Sequence, residues 1–504
     1  MLTVHNGGSH DWANMPLDET AAGNAMDCDF TFRLYSIVRE QMKEKGLHHV
    51  YDKLIKKAAY NLSEVEDIGV RVDREYLAEL DVICQEELQS LVEVIKELSP
   101  VDDLNPNSTK QLAELLFSTS GFNLTPVEFS AKTKTPSITE SHMSTLIASS
   151  SGEAKTFIQT LLRYKSRFKQ HKTYVKGVEK ALDYNGDGRI YSNYNFSTTV
   201  TGRLSCSLYS CGKEKKGVSF HTLPRPEEGD PVNIRKLIIP DEGNVFLAAD
   251  FSQAELRVLA QCCRDENLIK AFNSGQDLHS FTASLIYSKP IEKVTKVERQ
   301  VAKSVSFLIV YGGGPHKLSE QIGKPVGYCK NIFSEYQNSF PKVFSWMKLV
   351  HKSVRANGHA VSLFGRRRNL SNVNSPIKKY QFRALRQGMN FVIQSSASDI
   401  MLQALNRLKE RLEEANLDFD LLATVHDSVE LQCPKSQLKQ VLEVTKSALT
   451  DTSDFKDDFN LDFIVPFEVD IEVGNSFGEA IETEFTPNGS VTNLSEIEAY
   501  VENN

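Results

Sequence analysis

Apolar residues recur every three or four positions along several long stretches of the chain, which predicts helices with one buried face. The clearest stretch is REYLAELDVICQEELQSLVEVIKEL, in which seven apolar residues between Leu77 and Leu98 follow this spacing closely. The helical pattern begins at about Asp29, and it returns over Ala254–Leu349 and over Lys378–Glu414. We therefore predict that helices make up much of the chain.

Strand patterns lie between these helical regions as short apolar runs bounded by turn residues. The run Val245–Ala249 predicts a buried strand that ends at Asp250. Further along, Leu421–Val425 and Val429–Gln432 flank a tight corner, which predicts a β-hairpin that presents Asp427. Two aspartates at neighbouring strand ends can bind a pair of divalent ions. The alternative interpretation of the Asp427 motif is an isolated surface hairpin.

A third pattern places charge and aromaticity on one helix face. Arg299, Lys303, Phe307 and Tyr311 are four residues apart, so on a helix they form one stripe. Two cations followed by two aromatic side chains suit a triphosphate followed by a sugar and a base, whereas an ordinary amphipathic helix would carry apolar residues there. The glycines at 312–314 then predict the end of this helix.

Composition narrows the class of protein without identifying it. The 504 residues are 40% hydrophobic and 25% charged, which is typical of a globular chain with room for about two to four domains. The net charge is −8, so contact with a polyanion would depend on local clusters. The strongest positive cluster is 163–180, with seven Lys or Arg, one acid and interleaved aromatic residues; a solvated helix face is the alternative interpretation.

Cysteine usage and the absence of a membrane pattern predict a cytoplasmic protein. The eight cysteines form neither a CxxC pair nor a disulfide pattern, and no apolar run approaches the roughly 20 residues that a membrane span needs. Cys206, Cys211 and His221 could suggest zinc, but their spacing is loose and a fourth ligand is not evident. We favour an inserted loop over 206–219.

Taken in order, the motifs resemble those of family A DNA polymerases, the polymerase I group. DFSQAELR resembles the first palm motif of that family, RxxxKxxxFxxxYG resembles its fingers helix, and VHDS resembles its third motif. The strings TGRLS, GQDLH, FGRRR and MNFVIQSSASD resemble further segments in the same order. The resemblance runs from about Asp11 to Phe477 and so covers most of the chain.

This resemblance implies an α+β protein with the right-hand polymerase fold, which has a thumb, a palm with an antiparallel sheet, and helical fingers. It implies that 1–57 is a remnant of a 3′–5′ exonuclease domain with a connecting helix and that 58–190 is the thumb. The palm would take 191–270 and 391–480, and the fingers 271–390. The last segment, 481–504, is rich in Glu, and we predict a flexible acidic tail.

The resemblance also implies roles for individual residues. Asp250, Asp427 and the backbone carbonyl of Phe251 would hold two Mg²⁺ ions, which Mn²⁺ could replace, and Lys303 would join the aspartates in catalysis. The residues expected at the incoming nucleotide are Arg299, Lys303, Phe307, Tyr311, His279, Glu255 and Gln253. The residues expected at the primer-template DNA are Arg203, Asn390, Gln394, His426, Arg167 and Lys169.

Several of these residues have ordinary structural alternatives. Arg203 could form an ion pair on a strand, and His279 could cap a helix or occupy the core. Asn390 and Gln394, one helical turn apart, could bridge neighbouring helices.

The sequence departs from the family pattern at a few places. Ser428 stands where the family often has Glu, and HT at 221–222 stands where it usually has Gln and Asn. The segment PLDETAAGNAMDCDFT resembles the last motif of the exonuclease domain, with Asp27 at a metal-ligand position. Because only 26 residues precede Asp27, we expect an incomplete nuclease site, as in a relic or a split gene of bacteriophage type.

The implied function is template-directed addition of deoxynucleotides to a primer 3′-hydroxyl by two-metal-ion phosphoryl transfer, in phage genome replication or in repair. The implied partners are primer-template DNA and deoxynucleoside triphosphates, with a separate exonuclease subunit or a processivity factor left open; we expect a monomer that does not bind membranes. One alternative is a single-subunit RNA polymerase, against which Glu255 and Phe307 argue. The other is a catalytically silent DNA-binding replisome scaffold, against which the intact aspartates and cations argue.

Overall fold

The structure, a computed structural model, describes residues 16–130, 134–211, 214–216, 218–226 and 229–503. The chain divides into two compact units. The first, here called the helical unit, contains the described part of Met1–Tyr60 together with Gln253–Asn406 and Asp451–Pro466. The second, here called the sheet unit, contains Asn61–Ser252, Arg407–Thr450 and the described part of Phe467–Asn504.

Helices dominate the described residues. In the first half of the chain they are α1 (Leu17–Glu44), α2 (His48–Val50), α3 (Lys56–Ile68), α4 (Arg74–Leu98), α5 (Thr109–Phe117), α6 (Glu140–Ser149), α7 (Gly152–Lys169) and α8 (Lys176–Asn185). Those that follow are α9 (Ala254–Cys263), α10 (Glu266–Asn273), α11 (Leu278–Tyr287), α12 (Lys296–Val310), α13 (Pro315–Ile322), α14 (Val326–Ser339), α15 (Pro341–Asn357), α16 (Lys378–Glu414), α17 (Leu438–Thr450), α18 (Ser453–Phe459) and α19 (Leu494–Asn503). None of these helices is long and apolar enough to cross a membrane.

The strands form several antiparallel sheets. The strands are β1 (Val70–Val72), β2 (Arg189–Ile190), β3 (Ser192–Asn195), β4 (Ser205–Cys211), β5 (Glu214–Lys216), β6 (Ile238–Ile239), β7 (Asn244–Phe251), β8 (His359–Val361), β9 (Arg367–Asn369), β10 (Asp420–Val425), β11 (Ser428–Pro434), β12 (Val469–Ser476) and β13 (Glu479–Glu482). The largest sheet has the order β10-β11-β7-β12-β13, and β7 is its central strand. Both edges of β7 are therefore paired.

Two apolar cores are formed by described residues of the sheet unit. One core lies against the five-stranded sheet, where Phe246 and Leu422 pack with Leu80 of α4 and Val178 of α8. The other lies among α4, α5 and α7, and its members include Leu112, Phe157 and Leu161. The periodic apolar face predicted for α4 supplies residues to both cores, so the helix joins them.

The helical unit has an apolar core between α15, α16 and the two-stranded sheet β8-β9. Val354, Ala360, Leu385 and Phe391 are buried in it. A polar contact reinforces this region, because the Nε of Arg366 donates to Asp399, 2.7 Å away, on a carboxylate that is fully buried. Burial raises the pKa of Asp399 to about 6 even with the arginine beside it. The contact joins two predicted motifs, FGRRR and MNFVIQSSASD.

Most of the secondary structure predicted from the sequence is confirmed. The strand over 245–249 lies within β7, the hairpin is β10-β11, and the helical stretches over 254–349 and 378–414 are helical apart from short connections. The predicted insertion over 206–219 lies partly outside the described residues. The proposed domain boundaries stay predictions.

One prediction is wrong. The acidic segment 481–504 is not a flexible tail, because its described residues complete β13 and form α19. Ile497 and Val501 of α19 are buried, and the amide of Asn475 on β12 donates to the carbonyl of Val501. Glu496, Glu498 and Glu502 occupy the exposed face of this packed helix, and composition alone does not distinguish such a helix from disorder.

Candidate active site

The central strand β7 carries an exposed carboxylate close to its end. Asp250 is exposed, whereas Leu247 and Ala249 before it are fully buried. Its backbone is fixed from both sides, because Asp250 pairs with Ser428 on β11 and with Asp470 on β12. The register of three strands therefore sets the position of this aspartate.

The hairpin β10-β11 presents the second carboxylate at the same end of the sheet. Its corner is His426-Asp427, and His426 has a positive φ of 60°, a conformation that is uncommon for residues other than glycine. The N–H of Phe251 donates to the carbonyl of Asp427 over 3.1 Å. This backbone bond brings the two predicted metal ligands, Asp250 and Asp427, to adjacent strand ends.

The donor set at this position fits a divalent cation that also binds substrate. No group of three or more His, Cys, Asp or Glu side chains suited to hold a metal occurs in the part of the chain that the structure describes. Mg²⁺, however, is commonly bound by one or two carboxylates together with substrate phosphates. Asp250 and Asp427 supply the carboxylates, so the residues present fit such an ion. The zinc alternative gains no support from the described residues, and the side chain of Cys211 lies outside them.

Arg203 and His221 lie beside the hairpin corner. The guanidinium of Arg203 lies 3.8 Å from the carboxylate of Asp427. The ring of His426 lies 5.0 Å from that of His221, whose Nε2 is 3.0 Å from the carbonyl of Thr424. Burial lowers the pKa of His426, and the charge of Arg203 lowers it further. Burial also lowers the pKa of His221 to about 4, so both rings are neutral at pH 7.

The predicted nucleotide residues belong to the helical unit, and the stripe on α12 is formed as expected. A capping box of Thr295 and Glu298 starts the helix. Phe307 and Tyr311 stack at a centroid distance of 5.8 Å and an angle of 25°. Lys303 is exposed on the same face. The stripe thus carries a cation and an aromatic pair in reach of one ligand.

Two neighbours of the stripe come from the start of α11. The guanidinium of Arg299 donates to both oxygens of Asp277, at 2.6 and 3.2 Å, while Asp277 also caps α11. His279 lies beside Phe307 at a centroid distance of 6.0 Å. Burial lowers the pKa of His279 to about 4, so this side chain offers a neutral N–H donor.

The remaining predicted residues lie on α9, α16 and their boundaries. Glu255 is only 6% exposed on the first turn of α9, and Gln253 precedes that helix at a positive φ of 53°. Asn390 and Gln394 share one face of α16, and no described residue is a hydrogen-bond partner of the buried carbonyl oxygen of Asn390. A buried amide oxygen without a partner among the described residues suits a contact with a bound molecule.

The structure does not support Arg167 as a DNA contact, because its side chain is buried among ion pairs. Its side chain is 1% exposed and is bonded to Glu87, Gln170 and Asp230 at 2.5 to 2.6 Å. This arrangement is the structural role expected of a buried, paired arginine. Lys169, two residues later, is exposed.

The sequence interpretation missed two residues that lie beside the predicted site residues. Asp277 holds Arg299, and its only sequence signal was its place two residues before His279 in an N-cap position. Glu430 lies fully buried on β11 within the same sheet face as Asp250. A charged residue in the middle of an apolar strand pattern was the signal for Glu430.

The sequence of the chain is similar to that of known proteins. The profile of DNA polymerase family A matches residues 74–479. The thermostable DNA polymerase I of Thermus thermophilus is 32% identical over 419 residues, which are 83% of this chain and 48% of that protein. The DNA polymerase I of Streptococcus pneumoniae serotype 4 is 33% identical over 418 residues, 82% of this chain and 45% of that protein. The chain spans about half the length of these relatives.

A solved structure agrees with the sequence comparisons. The POL domain of Pol1 from M. smegmatis, in complex with DNA primer-template and dNTP, superposes with a TM-score of 0.79 at 25% identity. The match covers 89% of this chain and 74% of that one. The predicted α+β class and right-hand polymerase fold are confirmed by this likeness. Since the family profile covers most of the chain, this protein belongs to DNA polymerase family A.

Proposed function

We propose that this protein is a template-directed DNA polymerase that adds deoxynucleotides to the 3′-hydroxyl of a primer. The observation that carries the proposal is the placement of Asp250 and Asp427 at adjacent strand ends, in a chain of DNA polymerase family A. The Pol1 structure from M. smegmatis contains primer-template and dNTP, which supports the same substrates here.

The carboxylates of Asp250 and Asp427, with the carbonyl of Phe251, would hold two Mg²⁺ ions or their Mn²⁺ substitutes. Such ions, when bound, lower the pKa of an attacking hydroxyl and stabilise the negative charge of a leaving oxygen. The chain contributes the geometry: paired strands fix the backbone of Asp250, and the bond from Phe251 fixes the corner that carries Asp427. Both carboxylates are thus positioned before any substrate arrives.

The stripe on α12 would bind the incoming nucleotide. Lys303 would neutralise charge on the triphosphate and assist its transfer, and Arg299 would contact the phosphates from the position that Asp277 gives it. Neutral His279 would donate one hydrogen bond to a phosphate oxygen. The stacked rings of Phe307 and Tyr311 would pack against the sugar and base.

Selection of the sugar and recognition of DNA would use separate residues. Glu255 would exclude a 2′-hydroxyl by its bulk, beside Gln253. Arg203, His426, Asn390 and Gln394 would contact the minor groove of the primer-template, where base pairs share similar acceptors. Lys169 would contact a backbone phosphate.

We further propose that this 504-residue chain replicates or repairs DNA without its own proofreading. Replication of a phage genome is one such role. The proposal rests on the resemblance of the segment around Asp27, which lies on α1, to a single motif of the exonuclease domain. A separate exonuclease subunit or a processivity factor would act with a monomeric polymerase.

The test is extension of a labelled primer-template with four deoxynucleotides and Mg²⁺, followed by incubation without nucleotides. Asp250→Ala should abolish extension, whereas Asp183→Ala, which removes an exposed carboxylate on α8, should not. DNA binding without extension by the wild-type chain would favour the scaffold. Efficient use of ribonucleotides would favour the RNA polymerase, and primer shortening would contradict the absence of proofreading.

A further inference from the structure

A buried hydrogen-bond chain closes the hairpin that carries Asp427. The hydroxyl of Ser428, the first residue of β11, lies 3.0 Å from the carbonyl of Val425, the last residue of β10. The same hydroxyl is hydrogen-bonded to Oε1 of Glu430. The contacts of Ser428 therefore connect both strands at the turn and reach the carboxyl group behind it.

Counting protons shows which protonation state of Glu430 would satisfy both contacts of Ser428. The Ser428 hydroxyl has one hydrogen, and a carbonyl oxygen can only accept. If Ser428 donates to Val425, then its contact with Glu430 is a hydrogen bond only when the carboxyl group of Glu430 carries a proton and donates. A protonated Glu430 thus satisfies both contacts at once.

The surroundings of Glu430 favour the neutral acid independently of this count. The side chain is 1% exposed, and its second oxygen, Oε2, has no hydrogen-bond partner among the described residues. An ionised carboxylate with a buried, unpartnered oxygen is costly, whereas a neutral acid is tolerated. Burial raises the pKa of Glu430 to about 8, although the hydrogen bond with Ser428 lowers it, and the nearby charge of Asp250 raises it further.

We propose that Glu430 is a positioning residue for the Asp250–Asp427 cation site. As a neutral acid it would donate a hydrogen bond to the Ser428 hydroxyl and so hold the hairpin corner in place. The inference rests on the proposed function, because it assigns a support to that site. Ser428 takes the place where the family motif often has a carboxylate, and Glu430 lies two residues further along the same sheet face.

The Ser428–Glu430 hydrogen bond supports a hairpin corner whose backbone conformation is uncommon for the residues in it. His426 adopts a positive φ, and Asp427 follows it directly. Ser428 is also the backbone partner of Asp250 on β7, and its own carbonyl accepts from the hydroxyl of Thr424 over 2.8 Å. Loosening the Ser428–Glu430 link would therefore let the Asp427 corner move relative to Asp250.

The experiment measures Mn²⁺ binding to the free 504-residue protein by electron paramagnetic resonance, with thermal melting as the check on folding. Glu430→Leu and Ser428→Ala should each weaken Mn²⁺ binding about tenfold, the lower range for loss of a residue that orients metal ligands. Glu430→Gln should stay within about twofold of wild type, since an amide N–H can donate to Ser428. Glu472→Leu is the matched control, because Glu472 faces Ala248 from β12 as Glu430 does from β11.

Each outcome decides the inference. Equal Mn²⁺ affinity in wild type, Glu430→Leu and Ser428→Ala, with loss in Asp427→Ala, would overturn the role of Glu430 and leave the proposed function standing. Weak binding by Glu430→Gln would show that the charge of an ionised carboxylate is needed, and this would also overturn the inference. If Asp250→Ala and Asp427→Ala bind Mn²⁺ as wild type does, the free protein lacks the cation site that Glu430 would support and the inference fails, whereas primer extension by the wild-type chain tests the proposed function separately.

Discussion

The two regions that carry the proposed chemistry are built in different ways. Asp250 and Asp427 are positioned by backbone hydrogen bonds in a sheet whose central strand is paired on both sides. The stripe on α12 is positioned by one helix and by side-chain contacts such as Arg299 with Asp277. Backbone register resists substitution of neighbouring side chains, whereas a side-chain contact is lost when one partner changes.

This difference matches the demands on each region. Ligands of a metal pair have to be held within a fraction of an ångström, because displacement of reacting groups is costly. A nucleotide site has to bind and release a substrate at every cycle, for which side chains on a helix can adjust. We therefore expect substitutions in the sheet region to act on turnover and those near α12 to act on nucleotide affinity and choice.

The largest expected effect is at the aspartates of the sheet region. Asp250→Ala or Asp427→Ala should lower kcat for extension by at least about a thousandfold, because each removes charge stabilisation made in the transition state. The free energy of unfolding should change by less than about 0.5 kcal/mol for Asp250, which is exposed. Single-turnover extension and urea denaturation measure the two quantities. If both variants retained activity, the aspartates of the sheet region would not be catalytic, and the contrast with the α12 region would not hold.

A smaller effect is expected at Glu255, where recognition depends on one side chain. Glu255→Ala should raise the use of ribonucleotides relative to deoxynucleotides between about tenfold and a hundredfold, because the bulk beside the sugar is lost. Competition between the two nucleotides at one template position measures the ratio. Glu255→Gln keeps the bulk and serves as the control. If the glutamine variant admits ribonucleotides equally, charge and not bulk makes the selection.

The contact between Asp277 and Arg299 offers a test of side-chain positioning. Asp277→Asn keeps a residue able to cap α11 but removes the charge that holds Arg299, so the KM for nucleotides should rise about tenfold with a smaller change in kcat. Steady-state incorporation of a single nucleotide measures both. Ser280→Ala removes a different contact of Asp277 and should have little effect. A change confined to kcat would mean that this region behaves like the sheet region.

The smallest expected effect is on stability at acid pH. Burial lowers the pKa of His279 from 6.5 to about 4 in the folded protein, so the unfolded chain takes up a proton first as the pH falls. Stability should therefore be lost between about pH 6.5 and 4, and His279→Gln should reduce this loss. Denaturant unfolding at several pH values measures it. His221→Gln in the sheet unit should act in the same direction, since its pKa is lowered similarly.

Local patterns were enough to predict the elements that carry the site. The apolar run before Asp250, the paired runs around Asp427 and the four-residue spacing from Arg299 to Tyr311 each involve neighbours in sequence, so they could be read from the chain. The structure confirms these elements.

Contacts between distant segments could not be read in this way. The burial of Arg167 depends on Glu87 and Asp230, which are 80 and 63 residues away in the chain. The packing of α19 depends on contacts with β12, so its acidic composition was misleading. The proposed role of Ser428 could not be predicted either, because it depends on the protonation state of Glu430, which a sequence does not show.

The central position of β7 restricts how the length of this segment can change during evolution. Side chains alternate between the two faces of a strand, so the insertion or deletion of one residue between 244 and 249 would turn Asp250 to the opposite face while its pairing partners stay in place. Only changes of two residues preserve the face, and those displace Asp250 along the strand from Ser428. The segment can therefore vary in sequence while its length stays fixed, a signature that can be looked for in any lineage of this chain.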